Sequence, residues 1–558
     1  MADSKLIGRV IAIEGKPTTI DGFHFWTDSD TKLNAFDIVK VEREDGTDTY
    51  GVIESISHIT DATSFLTNFI SSDFGDVDIA EPTFRVGMNY AYAKVSYNTK
   101  GDYTPVHNNS KVYLATQEQI TFALGLDKVE NPLVCGSLKM YEGTADEVTL
   151  PVELNAKFLL GSEGAHLNIS GISGLAAKTS YAMFLMKSIQ DTYAEKSDDD
   201  ESVAFVLFNV KGRDLMAIHC PNEDLDEDTL KEYEQLKLSQ KPFDDVKYYV
   251  PHYDSNSSKQ STYLSREDVA SYIVSNKLKK FKYVYSEDKE SIEMMFSNVE
   301  DPNQTMESIV SKIIDENDAH FGKLKTWGEF LETVSENSQK GSSSSKDEIS
   351  VLSWCKFKRI VNKAIKNDDM FAQRVQPEHS ECRLADELKH IKKNEVHVID
   401  IAKLPEDKQA FVFGDAVKTI YNLKLGEYDN EVNVSPPSRI VIFIDELNKY
   451  ASSDVPKNSP ILRQILDVTE RGRSLGVILF GAEQFRSAIH KRVTGNCATH
   501  AYGRTNSIEI STGDYRSLPE TYRNMLMRLS QGDYLIQNPV FRSLLKIRFP
   551  KPIYKQFK

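Results

Sequence analysis

The apolar positions of this chain follow two rhythms. From residue 5 to about 60, short runs alternate with turn signals: LIGRVIAIEG, then Lys16-Pro17, then Asp21-Gly22 before FHFW, followed by FDIVKVE, Asp45-Gly46 and TYGVIESI. Short strands broken by Asp-Gly turns predict a small antiparallel barrel or sandwich. The pattern resumes more loosely at VGMNYAYAKVSY (86–97) and KVYLA (111–115). Farther along the runs become unbroken: HLNIS, VAFVLFN (203–209), VHVIDI, RIVIFI and VILFGA. Continuous apolar runs of this length predict strands buried on both faces of a parallel sheet. Helical patterns separate them: YAMFLMKSI, QAFVFGDAVKTIYNLKL and ILRQILDVTERGRSLG (461–476). After a further helix around YRNMLMRL, GDYLIQN and SLLKIRF read as strands that return the chain to the sheet edge.

Residues 216–394 differ in character. Acidic loops such as NEDLDED, helical periodicity and a Ser-rich break, GSSSSK (341–346), predict a mostly helical insertion between two halves of an α/β domain. The expected organisation is a β-barrel and linker over 1–150, core over 151–215, insertion over 216–394, core again over 395–510, and a returning segment over 511–558.

Composition narrows the class. With 40% hydrophobic and 27% charged residues the chain is ordinary for a globular protein. No apolar run approaches the length of a membrane span, and MADSKLIGRVIAIEG lacks the apolar core of a signal peptide. The five cysteines, Cys135, Cys220, Cys355, Cys382 and Cys497, form no CxxC pair, which points to reduced thiols in a cytoplasm and away from a zinc site. A net charge of −16 excludes a general nucleic-acid coat but leaves room for a locally basic channel. The basic clusters NKLKKFK (276–282), KFKRIVNKAIK (356–366) and HIKKN (390–394) read first as solvated helix faces.

Candidate chemistry gathers at the ends of the buried runs. RIVIFI ends in Asp445-Glu446, where an open α/β sheet binds ligands. In a nucleotide hydrolase, Asp445 would hold the Mg²⁺ shell and Glu446 would polarise the attacking water. HLNIS runs into GISGLAAKTS, a strand, a glycine-containing turn and a helix. Such a turn wraps backbone N–H groups round a phosphate, with Lys178 reaching its oxygens and Thr179 on the Mg²⁺. Gly171, Gly174, Ala177 and Ser180 complete the loop. It departs from the G-x-x-x-x-G-K-[ST] rule: Gly171 lies one residue too far from Lys178, and Ala177 replaces the second glycine. VILFGAEQ is expected to end in Gln484, placed to hydrogen-bond the phosphate or water. Arg471 and Arg473 end the preceding helix, and Arg473 is expected to project from the same ligand-binding edge as an arginine finger.

The barrel-like start, HLNISGISGLAAKTS, VHVIDIAKL, IVIFIDELNKY and ERGRSLGVILFGAEQFRSAIHKRVTGNCATHAYGRT together resemble the HerA/FtsK superfamily, specifically its HerA-type ATPases. The resemblance spans 1–215 and 395–558. It implies a RecA-like P-loop core behind an N-terminal barrel and helical insertion, using ATP and Mg²⁺. It also implies a homohexameric ring that threads double-stranded DNA through its pore, works as a translocase or helicase, and docks an effector on the barrel. That effector would be a NurA-like or other nuclease, or a sirtuin-type NAD hydrolase, and the departures look like the antiphage-defence branch. On this resemblance Arg473 best matches the finger acting in trans, with Arg471 as the alternative. The other reading is a ring scaffold that binds nucleotide weakly and organises an effector.

Overall fold

The computed structural model describes all residues except 1–4, 29–30, 72–73, 75–85, 162, 173, 175–176, 197–200, 255–259, 340–348, 429, 431–434 and 558. The Ser-rich break and three positions of the phosphate loop therefore lie outside the described residues. The chain divides into two compact units.

The first unit holds the residues up to Leu154, with Leu518–Met525 and Tyr534–Arg548. Its six N-terminal strands close into an antiparallel barrel, as the alternating runs predict. Round the barrel they are ordered Leu6–Ile11, Gly22–Thr27, Gly87–Asn98, Asp48–Thr60, Ile38–Glu42 and Lys111–Leu114, the last pairing with the first. Phe23, Phe25, Ile38 and Val112 are fully buried in it. Closure removes the open edges that short strands would otherwise present. The hairpin Asp48–Thr60 with Gly87–Asn98 is much longer than the other strands, pairing as far as Thr60 opposite Gly87. The helix Phe65–Ser71 follows the first of these strands, with Phe65, Leu66, Phe69 and Ile70 exposed. The late strand Leu545–Arg548 pairs antiparallel with Pro132–Met140.

The second unit is built on parallel strands. Across the sheet they run Glu381–Cys382, Leu278–Phe281, Val246–Pro251, Val396–Asp400, Val203–Asn209, Arg439–Ile444, Val477–Glu483, Leu167–Ser170 and Thr499–Tyr502. The α/β expectation holds, and Ile440 to Ile444 are fully buried, as a strand covered on both faces requires. The insertion is less purely helical than its periodicity suggests. It supplies helices at Thr305–Ile314, Trp327–Asn337 and Val351–Ile365, but it also adds the first three strands of that order. Such strands are short and mixed in composition, so local patterning does not show them; Val246–Pro251 pairs with Val396–Asp400, Leu278–Phe281 adds to it, and Glu381–Cys382 adds to that. Trp354, Phe357 and Phe330 of the insertion share one core with Ile440, Ile442 and Ile444.

Gly476 sets the geometry at the other end of the sheet. It caps the helix Pro460–Leu475 at φ +77°, and a Cβ there would lie 2.0 Å from the Ser438 carbonyl oxygen. Only glycine accepts both the left-handed backbone and that approach. The helix therefore ends at the start of the strand Val477–Glu483.

Candidate functional site

Three strands end at one level. Ser170 lies opposite Glu483, and Ile444 lies opposite Gly481, so the residues that follow Ser170 and Ile444 emerge side by side. The loop after Ser170 leads into the helix Lys178–Ala194, whose first turn has no side-chain cap. A helix start of this kind is where backbone N–H groups can receive an anion. Gly174, at φ +79°, has open space where a Cβ would stand.

The loop meets the Asp445 strand through side chains. The Thr179 hydroxyl donates to Asp445 Oδ2 at 2.8 Å, a contact between residues 266 positions apart. Asp445 Oδ1 accepts the backbone N–H of Glu446 at 2.8 Å. Lys178 is 6% exposed and its Nζ donates to the Gly171 carbonyl at 3.0 Å. Burial pulls the Lys178 ammonium below its ordinary value, against the opposing charges of Asp445, Glu483 and Glu446. Glu446 sits at φ +57° and pairs with Lys449 at 2.8 Å.

The residues fit a magnesium nucleotide. A hydroxyl and a carboxylate are hard oxygen donors that suit Mg²⁺, which usually completes its shell with water and phosphate oxygens. Among the described residues no cluster of three or more His, Cys, Asp or Glu is placed to hold a metal.

Other residues of the proposed site fall differently. Ala177 stands at φ +49°, left-handed backbone in the position where the P-loop rule has glycine. The Ser180 hydroxyl meets the buried Tyr554 phenol. The strand expected to end in Gln484 ends in Glu483, and Gln484 is the half-buried residue that follows. Arg473 does not project from the ligand-binding edge. It lies in the last turn of a helix that enters the strand Val477–Glu483 at its start, and its guanidinium donates to the Glu163 carbonyl at 3.3 Å. Seven residues of strand, roughly 20 Å at about 3.3 Å each, separate the two edges. Arg471 occupies the same exposed helix end. The reason is the alternation of a parallel sheet: a helix that precedes a strand ends at the edge opposite that strand's C-terminus.

The structure also brings in residues that sequence reading passed over. Glu483 is fully buried beneath the loop, and its carbonyl accepts the Gly171 N–H at 3.2 Å. Burial pushes its carboxyl up to about 8, with Arg486, Asn168 and Lys178 opposing and Asp445 adding. Asp214, from the turn after Val203–Asn209, is likewise raised by burial, opposed by Lys211 and reinforced by Asp445. An acidic residue closing an apolar run was the available signal for Glu483.

No protein family and no curated protein matches the chain. Among solved structures it is similar to the bacterial conjugative coupling protein TrwBdeltaN70 in its unbound monoclinic form, at 11% identity and a TM-score of 0.40, over 73% of this chain and 90% of that one. It is similar to VirB4 of Thermoanaerobacter pseudethanolicus at 11% identity and a TM-score of 0.40, over 75% and 96%. A smaller part is similar to the genome packaging NTPase of Sulfolobus turreted icosahedral virus 2 in complex with ATP-gammaS, at 17% identity and a TM-score of 0.22, over 30% and 71%.

Proposed function

We propose that the chain is an ATP-hydrolysing motor that assembles as a hexameric ring, moves double-stranded DNA through its pore, and powers or gates a bound effector in antiphage defence. The observation behind this reading is the Thr179–Asp445 contact, which joins a phosphate loop to a carboxylate-ended central strand. Lys178 holds the phosphate oxygens, and the uncapped helix start supplies N–H donors. When bound, Mg²⁺ neutralises charge developing on the phosphates. Glu446 polarises the attacking water, and Gln484, one residue past its strand, orients it. Arg473 lies too far from its own loop to act there, so it serves a neighbouring subunit, with Arg471 beside it.

The barrel is the effector's dock in this reading. Its exposed Phe65, Leu66, Phe69 and Ile70 form an apolar feature of the kind that marks interaction sites. No helix among the described residues is long and apolar enough to cross a membrane. The left-handed Ala177 favours a second reading, a ring scaffold with slow turnover that organises an effector.

Hydrolysis by the purified chain, with and without duplex DNA, separates the two readings. The motor requires stimulation by duplex; the scaffold shows none. Lys178→Ala should abolish hydrolysis by removing the charge on the phosphates. Glu446→Gln should bind ATP yet lose turnover. Parental rates in either variant would place the site elsewhere.

A further inference from the structure

Lys449 has two sets of acceptors around it. The first is Glu446, whose carboxylate it meets at 2.8 Å. The second lies in a cavity of about 90 Å³ that Lys449 lines together with Glu406, Gln409, Tyr450 and Ser459. Gln409 and Tyr450 are more than nine-tenths buried. Gln409 Oε1 and the Tyr450 hydroxyl have no hydrogen-bond partner among the described residues. Glu406, the first residue of the helix Glu406–Leu425, brings a carboxylate to the same cavity. The two sets adjoin, because Lys449 both pairs with Glu446 and lines the cavity that Glu406 and Tyr450 share.

A lysine ammonium is a compact charge with three donors on a flexible stem. Lys449 and Glu446 are 32% and 23% exposed, so water screens both charges, and a second fixed acceptor set decides where the ammonium settles rather than whether it can leave. The cavity provides such a set.

We propose that Lys449 is a positioning residue with two berths, one on Glu446 and one in the cavity on Glu406 and Gln409, and that its move into the cavity releases Glu446 toward the phosphate loop. In the first berth the pair holds the Glu446 carboxylate away from water-polarising work. In the second, Glu446 is free to turn toward the site that Lys178 and Thr179 define. This rests on Glu446 being the base.

Full-length Lys449→Gln, Glu406→Gln, the double variant and Glu446→Gln test it, with ATP hydrolysis and binding of a fluorescent ATP analogue as readouts. Lys449→Gln should raise DNA-independent turnover several-fold at unchanged nucleotide affinity, because nothing restrains Glu446. Glu406→Gln should lower kcat several-fold at unchanged KM, because Lys449 stays on Glu446. The double variant should behave like Lys449→Gln, since a berth without an occupant no longer matters; a merely structural role would instead give additive losses. Additive losses, or turnover of Lys449→Gln at or below the parental rate, would overturn the proposal. Parental turnover in Glu446→Gln would instead remove the base assignment, and is read separately from the other variants.

Discussion

Ala177 is an alanine in a backbone that suits glycine. Its φ of +49° sets its Cβ against the following carbonyl, at a cost of about 1–2 kcal/mol relative to ordinary backbone. Ala177→Gly should therefore stabilise the folded chain, offset in part by the greater freedom of glycine when unfolded. We expect a higher urea midpoint and faster ATP turnover; a lower midpoint would show that the loop needs the methyl. Glu483 makes a different prediction. Its ordinary value is 4.5 and burial holds it at about 8, so between these pH values the unfolded chain is ionised while the folded chain keeps the proton. The folded state then binds more protons, and this group's contribution to stability falls as pH rises through the window. Glu483→Gln imitates the protonated form. It should leave stability near pH 5 little changed and raise it at pH 8, as chemical denaturation at the two pH values would show. Equal shifts at both would mean that the carboxyl titrates normally. Glu483 was visible in the sequence only as the acid ending an apolar run; its burial beneath the loop comes from pairing with the strand Leu167–Ser170.

At the scale of elements, the strands were legible because a run such as Arg439–Ile444 has no polar face and must be covered on both sides. What the helix before the next strand presents was not legible. Arg473 follows an amphipathic pattern correctly read as a helix, yet the parallel connection carries its end to the far edge of the sheet. On the proposed function it would serve a neighbouring protomer's nucleotide from there. Arg473→Ala and Lys178→Ala protomers, each inactive alone, should complement when co-expressed. In a mixed ring the intact loop of the first meets the intact arginine of the second. Supply of an arginine finger is worth about 10³–10⁵ in turnover, so partial rescue is measurable. No activity above either single variant, in rings shown to be mixed, would reject action in trans.

At the scale of the molecule, the proposed function houses chemistry and recognition in different units. The phosphate loop, Asp445 and Glu446 belong to the unit from Asn155 to Ser517; the barrel and its apolar helix Phe65–Ser71 belong to the other. Replacing Phe65 and Phe69 together by Asp should abolish co-purification of the effector while leaving ATP hydrolysis unchanged. Both side chains are exposed, so the barrel core is untouched. Retained co-purification would move the dock off this helix. The second visit of the chain to the barrel unit, through Leu518–Met525 and Tyr534–Arg548, is a feature of the whole fold.

The sequence by itself determined the buried strands, the barrel rhythm, the Asp445-Glu446 pair at a strand end and the Lys178-Thr179 pair at a helix start. Each is a local property: periodicity, an unbroken apolar run, or a turn residue next to a helix pattern. Only the tertiary structure decided the rest. Thr179 meets Asp445, Glu483 rather than Gln484 closes its strand, Lys449 adjoins both Glu446 and a cavity, and Arg473 stands at the opposite edge. These depend on strand order and direction, which follow from burying apolar surface between residues hundreds of positions apart.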